Sequence, residues 1–288
     1  MLLILLAAVC LLSAAFYSWP DSVQVMGIVN ATPDSFSDGG LAFAPDDAVA
    51  CAHQLVTDGA TILDLGGESS RPGAAPVPLD EELRRVVPVV EALAGAIHVP
   101  LSIDTTRAEV ARRCLAAGAA IINDITALAA DPDLVRVVAD AGAGVVLMHM
   151  RGTPQTMSEL AHYDDVVAEV SDYLAHRIDW AEQKGIPRDR IAIDPGIGFA
   201  KTDTHSLALL RNLERFASLG CAVLVGTSRK GLLGKITGRA PGERAVASAV
   251  SALAAVVAGA RVVRVHDVAA TVDALKVWDA QRGGISLF

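Results

Sequence analysis

From Val23 onward the chain alternates short apolar runs with longer stretches whose apolar residues recur at i, i+3 and i+4. The short runs are VQVMGIV (23–29), ATILDLG (60–66), VPLSID (99–104), AAIIND (119–124), AGVVLMHM (143–150), RIAIDPG (190–196), CAVLVG (221–226) and ARVVRVHD (260–267). Most lack polar alternation, as strands do when both faces of a parallel sheet are covered. Helical periodicity falls between them, over 45–58, 80–95, 107–117, 131–141, 162–184, 203–215, 242–258 and 267–282. Gly59, Gly118, Gly142, Gly185 and Gly220 each follow a helical stretch and precede a strand, where a C-terminal cap is expected. Pro45, Pro132 and Pro241 suit helix first turns. The pattern predicts a single-domain α/β fold, a (β/α)8 TIM barrel over residues 21–288. A doubly wound open sheet is the alternative, but it rarely repeats so regularly.

Composition changes this picture at one end only. The 288 residues are 52% hydrophobic, 20% charged and 4% aromatic, which is globular rather than disordered. A net charge of −9 argues against nucleic acid or an anionic membrane surface as the main partner. The four cysteines (10, 51, 114 and 221) have no metal-ligand spacing and read as reduced, mostly buried thiols. Residues 1–20, however, carry no charge, and the mean hydropathy of +0.42 partly reflects them. Their length suits a membrane span. They lack the basic n-region of a signal peptide, although Ser13-Ala14-Ala15 offers a small-residue cleavage site. An anchor, a signal peptide and a non-native extension compete at this point.

In a barrel of this type the active site lies at the carboxyl ends of the strands. Read in order, the predicted strands end in Asn30, Glu68-Ser69-Ser70-Arg71, Asp104, Asn123-Asp124, His149, Asp194, Gly226 with Ser228-Arg229-Lys230, and Arg264-Val265-His266. Strand beginnings are mostly small and apolar. A single polar residue there is more often a cap or loop contact, but a whole ring is not. Arg71, Lys230, Arg264 and His266 suit a phosphate ester. Asp104, Asn123 and Asp194 offer acceptors and an amide to an amino-nitrogen heterocycle. No Ser–His–Asp or Cys–His arrangement is evident, so no covalent intermediate is predicted. The segments 30–40 and 69–78 are long for βα loops and read as lids, Phe36 covering an aromatic substrate.

MGIVNATPDSFSDGG (26–40) and GATILDLGGESSRPGA (59–74) closely resemble two characteristic segments of the dihydropteroate synthase family. The resemblance continues through SIDT (102–105), IINDI (121–125), LMHMRGTPQTM (147–157), DPGIGF (194–199), GTSRKG (226–231) and RVHDV (264–268). It implies a pterin-binding barrel of folate biosynthesis, a cytoplasmic transferase and sulfonamide target, in which 6-hydroxymethyl-7,8-dihydropterin diphosphate and 4-aminobenzoate give 7,8-dihydropteroate and diphosphate. By the same resemblance Asn30 is a ligand of Mg²⁺, and Ser70, Arg264 and His266 surround the diphosphate. Asp104, Asn123, Met148, Asp194 and Lys230 form the pterin pocket. Phe36, Pro72 and Phe199 enclose aminobenzoate, with Asp34 and Arg71 on the closing loops. Asp104, Lys230, Arg264 and His266 are the expected catalytic set, and a homodimer is the expected assembly.

Departures are few. Ser70 stands where threonine is also common, Gly231 where some members have serine, and Ile197 where some have an aromatic. A non-catalytic paralogue would be expected to lose Asp34, Arg71, Lys230, Arg264 or His266, all present. A methyltransferase sharing the barrel would be expected to lack TPDSF and SRKG. The uncharged residues 1–20 depart most. Because the implied substrates are made and consumed in the cytosol, export is disfavoured, leaving a cytosol-facing anchor with membrane association or an altered end.

Overall fold

The computed structural model describes residues 17–31 and 45–283. Eight parallel strands close in chain order into a barrel. They are β1 (Gln24–Asn30), β2 (Ile62–Gly66), β3 (Leu101–Asp104), β4 (Ile121–Asp124), β5 (Gly144–Met148), β6 (Ile191–Asp194), β7 (Ala222–Val225) and β8 (Val262–Val265). Seven lie inside the apolar runs, and β1 extends one residue past its run to Asn30. Around them run α1 (Pro45–Thr57), α2 (Leu79–Leu93), α3 (Ala108–Ala117), α4 (Leu134–Ala141), α5 (Val166–Gln183), α6 (Asp203–Arg211), α7 (Leu213–Ala217), α8 (Gly231–Thr237), α9 (Ala245–Val257) and α10 (Val268–Gln281). The fold is thus the predicted (β/α)8 barrel.

Two details differ from the periodicity. The stretch 203–215 divides at Asn212, which caps the end of α6 and the start of α7. Helix α8 was not anticipated, because its seven residues include two glycines and are too short for a period to register. The glycine caps are as expected, with left-handed φ at Gly59, Gly118, Gly142, Gly185 and Gly220.

Strand alternation sorts the interior into two layers. Val25, Leu63, Leu101, Ile103, Ile122, Val145, Ile191, Val223 and Val263 join the core between strands and helices. Residues of the opposite parity, Met26, Ile62, Ile121, Val146, Ala192, Leu224 and Val262, form a separate cluster that fills the barrel itself. Trp19 belongs to that second cluster. Its backbone N–H donates to Asp189 O at 2.9 Å and its indole N–H to Arg190 O at 2.9 Å. Tyr17 packs edge-on against it, and a Cβ on Gly144 would lie 2.5 Å from the Tyr17 ring. The end of the uncharged segment therefore closes the amino-terminal mouth of the barrel.

Residues 1–16, on which the anchor and signal-peptide readings depend, lie outside the described residues. Among the described residues no helix is long and apolar enough to cross a membrane. Cys51, Cys114 and Cys221 are free thiols there.

Candidate active site

The inward parity that carries apolar side chains in mid-barrel carries polar ones two residues later. Ile28 leads to Asn30, Ile62 to Asp64, Ile121 to Asn123, Ala192 to Asp194 and Val262 to Arg264, while β3 is polar at both Ser102 and Asp104 and β5 stays apolar from Val146 to Met148. Period two turns these side chains inward, and closure of the barrel brings them to one mouth.

At its centre lies a carboxylate that the strand-end reading passed over. Asp64 is fully buried; its Oδ1 accepts from Ser102 Oγ at 2.6 Å, and its Oδ2 from Arg264 Nε at 2.6 Å and Asn123 Nδ2 at 3.1 Å. Arg264 also donates through Nη2 to Asp104 Oδ2 at 2.9 Å. One guanidinium therefore holds two carboxylates, and Asn123 keeps its amide oxygen as an acceptor. Asp64 was visible as the lone charge in an apolar strand, but it precedes the strand end by two residues. Burial raises Asp104 to about 7, opposed by Arg264 and reinforced by the neighbouring charge of Asp64.

Opposite this cluster, Lys230 Nζ donates to Ile197 O and stands 4.7 Å from the centroid of the Phe199 ring. Burial lowers Lys230 to about 8, with Asp194 supporting its charge. Burial likewise raises Asp194, whose Oδ1 accepts from Gly196 N–H at 2.7 Å.

The rim is cationic. The backbone N–H of His266 donates to Ser228 Oγ at 3.1 Å, and the same oxygen meets His266 Nδ1 at 3.1 Å. Ser228 thus engages the Nδ1 edge of the imidazole and leaves Nε2 outside that contact. This Ser–His contact is not a Ser–His–Asp arrangement; the buried serine orients the imidazole ring. Burial, then Arg229, Arg264 and, from the loop after β2, Arg71 push His266 down to about 4, with Asp267 opposing. The charge of Arg71 thus reaches this rim.

The remaining predicted residues divide. Asn30 is half-buried at the end of β1, opposite Gly66. Met148 is buried at the end of β5. Ser70 lines a cavity of about 330 Å³ with Glu68, Asp104, Thr105, Ile125 and Met150. Arg71 and Pro72 are exposed on the 69–78 loop, which is tied to the far wall by Gly73 N–H donating to Pro154 O at 2.9 Å. Asp34 and Phe36 lie outside the described residues.

Two members of the strand-end ring face elsewhere. Asp124 has the outward parity, and its carboxylate accepts from Thr126 N, Thr126 Oγ1 and Leu128 N, shaping its own loop. His149 also turns outward, edge-on to Tyr173 of α5.

Fold and site together define a barrel enzyme whose mouth gathers buried carboxylates, an amide and cations. Residues 26–266 match the family of pterin binding enzymes. A dihydropteroate synthase of Escherichia coli (strain K12) is 47% identical over 257 residues, 89% of this chain and 91% of the relative. A structure of Xanthomonas albilineans dihydropteroate synthase with 4-aminobenzoic acid is 51% identical, covers 91% of this chain and 94% of its own, and superposes with a TM-score of 0.86. The same enzyme in complex with 7,8-dihydropteroate is 48% identical with a TM-score of 0.83, over 91% and 95% of the two chains. The chain belongs to the pterin binding enzymes, in their dihydropteroate synthase branch, and is a transferase.

Proposed function

We propose that the chain condenses 6-hydroxymethyl-7,8-dihydropterin diphosphate with 4-aminobenzoate in the cytoplasm, forming 7,8-dihydropteroate and diphosphate. The observation that carries this reading is the Asp64–Arg264–Asp104 cluster, with Asn123 and Asp194 beside it and His266 and Arg71 above. Carboxylates and an amide oxygen suit the N–H-rich edge of a pterin, and the cations suit its diphosphate.

The bond from the pterin methylene to the diphosphate oxygen breaks, and its electron pair leaves with the oxygen. Arg264, His266 and the hydroxyl of Ser70 stabilise charge developing there. The pterin ring delocalises the positive charge, which the buried carboxylate of Asp104 stabilises, while Lys230, Asp194 and Met148 hold the ring. The aryl amine forms the new C–N bond with its lone pair and loses a proton to solvent. Phe199 and Pro72, with Asp34, Phe36 and Arg71 on the loops, hold the amine near the carbon and exclude water. A neutral aniline is nucleophilic enough that no enzyme nucleophile is required.

The residues fit Mg²⁺. Asn30 offers one hard oxygen, and among the described residues no group of three or more His, Cys, Asp or Glu side chains could hold a metal alone. An ion that takes most of its ligands from diphosphate and water needs no more protein. When bound, it would neutralise charge on the leaving diphosphate.

A second copy of the chain is the proposed partner. Val246, Val250 and Val257, spaced four and seven residues apart on one face of α9, are 76%, 60% and 52% exposed. The reaction is tested by following product formation and diphosphate release with each substrate omitted in turn, with and without Mg²⁺. Dihydropteroate should form only with both substrates and Mg²⁺; its absence from the complete mixture would refute the assignment.

A further inference from the structure

The loop between β6 and α6 offers three carbonyls to three different side chains. Ile197 O accepts from Lys230, Phe199 O from Lys201 Nζ at 2.9 Å, and Ala200 O from the Tyr163 hydroxyl at 3.0 Å. Lys201 Nζ also donates to His149 O at 3.2 Å and meets His149 Nδ1 at 2.9 Å. The loop presses so close to the end of β5 that a Cβ on Gly196 would lie 2.0 Å from His149 O. Ala200, a residue with a side chain, is itself left-handed at φ 49°.

Lys201 is 9% exposed and His149 3%. Burial pushes His149 down to about 3 and Lys201 down to about 7, with Asp194 supporting the lysine's charge, so the imidazole is the neutral member of the pair. The one flexible nitrogen of Lys201 reaches two carbonyls and a ring nitrogen at once, three contacts that no shorter side chain could make from this position. Burying it is costly, and none of the proposed chemical steps uses it. What its bonds hold in place is the backbone of Phe199, whose ring lies under Lys230.

We propose that Lys201 is a positioning residue for the aryl-amine half of the reaction: by tying the 195–202 loop to His149 it holds Phe199 against Lys230. The inference rests on the reading that Phe199 borders 4-aminobenzoate. Tyr163 fixes the next carbonyl of the same loop, and it is itself held by Arg151 above its ring at 3.9 Å and His205 at its edge. Asp104, Asn123 and Arg264 stand on strands that this tie does not reach.

The test compares Lys201→Met and Tyr163→Phe in the full chain, measuring kcat, the KM for 4-aminobenzoate, calorimetric affinity for 6-hydroxymethyl-7,8-dihydropterin, and Tm. Lys201→Met should raise the aminobenzoate KM about tenfold or more while pterin affinity moves less than about threefold. Tyr163→Phe should shift the same parameter by less and, losing only a hydroxyl, gives a folded protein on which to read it. Propylamine added to Lys201→Ala should restore part of the loss. An unchanged KM in both variants, or equal losses in KM and pterin affinity that follow Tm, would overturn the proposal. A wild-type chain that forms no dihydropteroate would instead overturn the reaction on which it rests.

Discussion

Arg264 divides its guanidinium between Asp64 and Asp104, so losing either carboxylate leaves a largely buried cation short of a partner. Breaking a buried pair from one side costs about 3–5 kcal/mol. Asp64→Asn should lower the unfolding free energy by that order in urea titration and weaken pterin binding with it; a loss below about 1 kcal/mol would show that the charge of Asp64 is not what holds Arg264. Because Arg264 is bonded into the pterin side, His266 is the residue that separates the two halves of the ligand. Its pKa is depressed to about 4, so near pH 5.5 the free protein holds it neutral. A diphosphate beside Nε2 favours the charged form and raises the pKa, so binding the ester should take up a proton. Calorimetry in buffers of different ionisation enthalpy should show that the ester takes up more protons, or releases fewer, in the wild type than in His266→Gln, while the bare pterin alcohol gives the same proton count in both; equal counts for the ester would separate His266 from the diphosphate.

At the scale of elements, each strand performs two tasks through its two parities, and the sequence displayed only one of them. The apolar runs located all eight strands, because continuous hydrophobicity is what a doubly covered strand requires. They concealed the alternation, since both parities are apolar until the last two positions, so Asp64 went unread while Asp124 and His149 were read as facing the mouth. The amino-terminal segment shows the same limit. Hydropathy marks residues 1–20 as uniformly apolar, yet Trp19 has a particular seat inside the barrel. Trp19→Ala should cost about 3–5 kcal/mol, as expected for emptying a buried aromatic site. Thermal melts of chains beginning at Tyr17 and at Asp21 should differ in the same sense, the second being less stable; equal Tm values would mean that the Trp19 plug contributes nothing.

For the whole molecule, the −9 charge belongs to the outer surface, while Arg71, Arg229, Lys230 and Arg264 gather at one mouth. The apolar face of α9 sits among that charge without cover from the chain itself. Val250→Glu would place a carboxylate on this face, so sedimentation should show a shift from dimer to monomer; a wild-type chain that sediments as a monomer would remove the proposed partner. The sequence by itself determined the count and order of the strands, the polar character of their ends, and the family, because periodicity and local motifs are properties of neighbouring residues. Only the tertiary structure decided which of those ends meet. Arg264 and Asp64 are 200 residues apart and touch because the barrel closes β8 onto β1 beside β2. Closure and strand parity together, neither of which is written in any local segment, turn separate strand ends into one site and direct Asp124 and His149 away from it.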